Sequence, residues 1–137
     1  MVLLILKHEH KEYDLALESF KKALEVRIEN FGLMHADVAK TYNKIGKVLY
    51  LQGNHAQALD YYLKAFAIFE NNVGIEHAYT AKTYENIGEV YCGQGNYNQA
   101  MDNFQKALVI FEKVLPKEHS AIIHVKELIK KINTSDC

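Results

Sequence analysis

Three histidines recur at a fixed interval. His35, His77 and His119 stand about 42 residues apart. Histidine is a common metal ligand, so a shared ion is the first chemistry to weigh. Packed helices lie about 8–10 Å apart, whereas a Zn–N bond is about 2.0–2.1 Å long. One ion therefore cannot bridge three points spaced along a stack, and these histidines read as loop-to-helix junction residues. His8 and His10 lie two positions apart, on different faces of a helix. His124 has no partner that the sequence fixes.

Nucleophilic chemistry has one candidate, Cys92. It falls on a helix where Tyr50 stands one period earlier, with no base fixed beside it, and reads as an inert thiol. The other cysteine, Cys137, is distant in sequence, and two such thiols make no disulfide framework. That usage points to a reducing, cytoplasmic setting. There is no Gly-rich phosphate loop, no G-x-S-x-G and no H-E-x-x-H. No catalytic residue, metal site or cofactor is expected, and the chain does not read as an enzyme. Tyr42, Tyr61, Tyr62, Tyr84, Tyr91 and Tyr97 fall at helical spacing and read as core rather than as a stacking platform, with Tyr50 and Tyr61 the more exposed.

The elements that position these residues are repeats. Residues 36–77 recur as residues 78–119 with half of the positions identical, and a weaker copy of the second half covers 13–35. Self-similarity at such a period marks a solenoid. The 137 residues make a single domain: 1–35 a partial first repeat, 36–77 and 78–119 full repeats, 120–133 a capping helix and 134–137 a frayed tail. The net charge of −1 gives no overall bias toward nucleic acid or an anionic membrane. No stretch approaches the roughly 20 apolar residues of a membrane span.

Residues 1–11 read as a helix fragment whose Val2, Leu3, Leu4, Ile5 and Leu6 form an apolar end without its neighbour, a surface for self-association. Further helices are expected over 13–31, 37–51, 55–72, 79–93, 97–114 and 120–133. Leu17, Phe20, Leu24 and Ile28 mark the buried stripe of the first of these, and Val38, Tyr42, Ile45 and Leu49 that of the next. Gly46 and Gly88 sit inside helices, where glycine costs about 1 kcal/mol. Their recurrence implies a close helix–helix approach. Asn54 with Gln57, and Asn96 with Gln99, have the spacing of a capping box.

Tyr42, Ile45, Gly46, Leu49, Ala58, Tyr62 and Ala65 recur as Tyr84, Ile87, Gly88, Tyr91, Ala100, Phe104 and Ala107, with Ala16, Phe20 and Ala23 before them. This pattern resembles the tetratricopeptide repeat. The long period and the junctions Gly32, His35, Ala39 and Gly74, His77, Ala81 resemble its kinesin-light-chain subclass. The resemblance implies an all-α, right-handed superhelical solenoid of antiparallel helix pairs, about two and a half repeats plus a capping helix. It implies a non-catalytic module that binds a peptide or protein partner in a concave groove lined by the first helix of each pair. Carried over, the groove positions are Lys40, Asn43, Lys47, Tyr50, Lys82, Glu85, Asn86 and Glu89. Lys21, Lys22, Lys64 and Lys106 fall on the solvated convex side. Two alternatives are a homo-oligomer joined through the apolar start, and the sensor segment of a larger signalling enzyme.

Overall fold

Two kinds of punctuation divide the chain into helices. The computed structural model describes residues 2–134 and 137, with the backbone alone for 2–6. Among the described residues it is helical throughout, without a strand: α1 (Val2–Phe31), α2 (Ala36–Leu51), α3 (His55–Asn72), α4 (Ala78–Gly93), α5 (Tyr97–Val114) and α6 (Ser120–Asn133). No helix of the described residues is long and apolar enough to cross a membrane.

The first punctuation is a glycine turn. Gly53 has φ +83°, which L side chains rarely adopt. Its N–H donates to the Tyr50 carbonyl at 3.0 Å, and that of Asn54 to Leu49 at 2.8 Å. These two bonds are the Schellman closure of a helix. Gly95 and Asn96 repeat it on Cys92 and Tyr91. The Asn54 and Asn96 side chains make no capping bond. The expected capping boxes do not form, because the N–H each glutamine would accept is already given to the preceding helix.

The second punctuation is the periodic histidine. His35, His77 and His119 are the N-caps of α2, α4 and α6. Each Nδ1 accepts a backbone N–H two residues on, from Asp37 at 3.0 Å, Tyr79 at 3.1 Å and Ala121 at 3.1 Å. A cap of this kind satisfies one of the orphan donors of a helix start. The junction reading of these histidines thus has a physical basis.

The break expected near residue 12 is absent, and α1 runs unbroken for 30 residues. Where later turns carry Gln-Gly-Asn, this stretch carries His10, Lys11 and Glu12. None of these favours a positive φ, so nothing stops the helix. The side chains of Val2, Leu3, Leu4, Ile5 and Leu6 lie outside the described residues.

Each helix packs on the next, and the core runs between them as three clusters. Ala58, Tyr62 and Ala65 are buried on α3, as are Ala100, Phe104 and Ala107 on α5. Small–large–small spacing lets a ring enter the groove of the preceding helix. A Cβ on Gly46 would lie 2.5 Å from Tyr62 Cε1, and one on Gly88 2.6 Å from Phe104 Cε1. The close approach expected at both glycines is therefore real. Tyr97, expected in the core, is instead 38% exposed. The terminal helix α6 buries Ile122, Val125 and Ile132 and turns its lysines to solvent.

Cys92 and Cys137 are joined as a disulfide, with Cα atoms 5.5 Å apart, an ordinary spacing. This corrects the reading of Cys92 as a lone inert thiol and of Cys137 as part of a frayed tail. It also removes the cysteine argument for a reducing, cytoplasmic setting. A separation of 45 residues concealed the pair; α5 and α6 fold back so that the chain's last residue returns to α4.

Candidate functional site

α2 and α4 are equivalent helices one period apart, in contact with each other. Lys40, Asn43, Lys44 and Lys47 fall at i, i+3, i+4 and i+7 and share one face of α2. Tyr79, Lys82 and Asn86 share the matching face of α4. With Phe69 from α3 beneath, these residues line an open cavity of about 360 Å³, within the usual range of ligand clefts.

The floor is held by hydrogen bonds between the two helices. Asn43 Nδ2 donates to Thr83 Oγ1 at 3.0 Å, and Thr83 Oγ1 donates on to the Tyr79 carbonyl at 3.0 Å. Asn43 Oδ1 is buried and has no partner among the described residues. The rim is basic. Lys40 Nζ sits 4.5 Å above the Tyr79 ring and 3.9 Å from Asp37. Lys47 reaches Glu89 at 3.4 Å, and Lys82 reaches Glu85 at 2.6 Å. Lys44 has no carboxylate partner among the described residues and faces the Phe20 ring at 6.0 Å.

Of the positions expected in a groove, Lys40, Asn43, Lys47, Lys82 and Asn86 come together on this cavity. Tyr50, Glu85 and Glu89 do not line it. Tyr50 is half-buried against His55, with ring centroids 5.7 Å apart. Glu85 is 1% exposed, and burial pushes its carboxyl above the usual carboxylate range while Lys82 pulls it back. Sequence reasoning missed Lys44, Tyr79 and Phe69. Lys44 was legible from its position one residue from Asn43 on the same stripe. Tyr79 was not, because the equivalent residue one period earlier is Asp37.

The cavity can receive a segment that brings carboxylates to the lysines and hydrogen-bonding groups to Asn43 and Asn86. A family model described as the tetratricopeptide repeat matches residues 4–71 and 37–113. No curated protein matches the chain in sequence. Among solved structures, BtubC (BKLC) from P. vanneervenii superposes with a TM-score of 0.82 at 20% identity, covering 91% of this chain and 50% of that one. A kinesin-light-chain-like protein from Podosopora anserina with nearly identical TPR-like repeats superposes at 0.79 and 13% identity. That alignment covers 97% of this chain and 63% of the other, and a second structure of the same protein gives 64%. The chain thus spans about half to two thirds of the length of these relatives in fold.

Proposed function

Because the chain belongs to the tetratricopeptide repeat family, whose repeats generally mediate protein–protein interaction, we propose that it is a non-catalytic binding module whose α2–α4 groove takes an extended, acidic segment of a partner protein. The observation that carries this reading is four lysines, Lys40, Lys44, Lys47 and Lys82, converging with Asn43 and Asn86 on one cavity. The scaffold is pre-formed, so the ordering cost falls mainly on the ligand. A groove spanning two repeats supports affinities near micromolar, about −8 kcal/mol. The test is fluorescence polarisation with acidic, basic and neutral peptides of equal length. Acidic peptides should bind best, and Lys44→Ala with Lys82→Ala should weaken them about tenfold or more. Equal binding of all three sets, or an unaffected double variant, would sink the reading.

A second reading is self-association through α1. Ala16, Phe20 and Ala23 are only half-buried, whereas Ala58, Tyr62 and Ala65, one period later, are buried. Leu15 and Val26 are 54% and 55% exposed. An α1 face that meets a helix on one side only is suited to a second copy. Light scattering across a concentration series should then show a dimer; a monomer mass at every concentration would remove this reading.

A further inference from the structure

Beside the groove, behind the lysines of its rim, α4 carries a cluster that does not itself line the cavity. Glu85 and Glu89 stand one turn apart on α4 and project toward α6, which supplies His124. One ligand atom from each of the three lies within 4.8 Å of the other two. The His124 Nε2 is 3.8 Å from Glu85 Oε2. We propose that Glu85, Glu89 and His124 form a site for a divalent transition-metal ion of the Zn²⁺ class.

The buried carboxylate is the independent reason to place an ion here. Glu85 is 1% exposed, and its Oε1 has no hydrogen-bond partner among the described residues. A buried oxygen left without a hydrogen-bond partner is rare in proteins and can be met by an ion. Lys82 reaches Oε2 alone, at 2.6 Å, and leaves the second oxygen without a partner. Lys47 reaches Glu89 at 3.4 Å. Both lysine side chains are about half exposed, so both can withdraw into water when an ion takes their place.

The geometry needs a small contraction. Bonds of about 2.0–2.2 Å put neighbouring ligand atoms roughly 3.4 Å apart in a tetrahedral shell. The His124 side chain is 51% exposed and is free to close that distance. One imidazole with two carboxylates suits Zn²⁺ better than Ca²⁺ or Mg²⁺, which favour all-oxygen shells. Water completes the fourth position. The bound ion ties α6 to α4 and frees the Lys47 and Lys82 ammonium groups toward the cavity. The site itself does not depend on the peptide reading of that cavity.

The test is calorimetric titration of Zn²⁺ into the whole chain at neutral pH, with a thermal melt of each variant to show that it is folded. Wild type should bind one ion and melt higher with it. His124→Ala and Glu89→Gln, both outside the core, should each lose at least the roughly 10–100-fold in affinity that even outer-shell partners cost. His8→Ala, which removes the exposed His8–Glu12 pair on α1, should leave binding unchanged. Failure of wild type to bind Zn²⁺, wild-type affinity in either ligand variant, or loss of binding in His8→Ala would overturn the proposal.

Discussion

Gly46 shows how one residue type sets the distance between helices. Alanine is better than glycine in a helix interior by about 1 kcal/mol, so propensity alone predicts a gain from Gly46→Ala. The new Cβ would meet Tyr62 Cε1 at 2.5 Å and Cδ1 at 2.7 Å. Tyr62 is 1% exposed and enclosed by Ile45, Leu49 and Ala58, so its ring has nowhere to turn. Overpacking costs about 1–3 kcal/mol and outweighs the propensity term. Gly46→Ala should therefore lower the midpoint of urea unfolding, and Gly88→Ala should do the same through Phe104. A second residue-scale expectation concerns pH. The hydrogen bond from Lys113 to Glu76, at 2.8 Å, and then the Lys113 charge hold the Glu76 carboxyl below its ordinary value of 4.5. A depressed folded pKa contributes stability above pH 4.5 that is lost as pH falls through the folded value. In a carbon-detected NMR titration Glu76 should protonate below 4.5, and Lys113→Ala should return it there.

At the scale of helices, equivalent positions differ by what stands next to them. Phe104 on α5 is fully buried between α4 and α6, while Phe20, its counterpart on α1, is only half-buried. Phe104→Ala should cost about 3–5 kcal/mol. Phe20→Ala should cost clearly less, and equal shifts in unfolding midpoint would contradict this account. The helices and their buried stripes were legible because each alanine, ring and glycine recurs at one period and so declares its role more than once. The continuity of α1 was not legible, because it depends on what residues 10–12 lack rather than on what they carry. The capping boxes at Asn54 and Asn96 were overread. Residue types matched, but the Schellman closure had already taken the N–H groups. In the groove, Lys40, Asn43, Lys47, Lys82 and Asn86 were legible as a helical face. The burial of Glu85 was not, since Asn43 at the same repeat position is only half-buried.

For the molecule as a whole, a solenoid has no long-range core, so its ends are held only by their immediate neighbours. The two ends here are fastened differently. α1 meets α2 along one side, with Leu17, Phe20 and Leu24 half-buried. At the other end the Cys92–Cys137 disulfide closes a loop of 45 residues around α5 and α6. In the chain-entropy description a loop of that length is worth about 4 kcal/mol at most. The restraint acts on the unfolded segment it encloses, so its effect should be confined to the second half of the stack. Hydrogen exchange of the oxidised chain should show α1 opening with the lowest free energy and α4 and α5 with the highest. After reduction, or in Cys137→Ser, protection should fall in α5 and α6 and stay unchanged in α1. A uniform loss along the chain would mean that the repeats unfold as one cooperative unit, and an unchanged α6 would mean that the disulfide carries no stabilisation of the terminal helix.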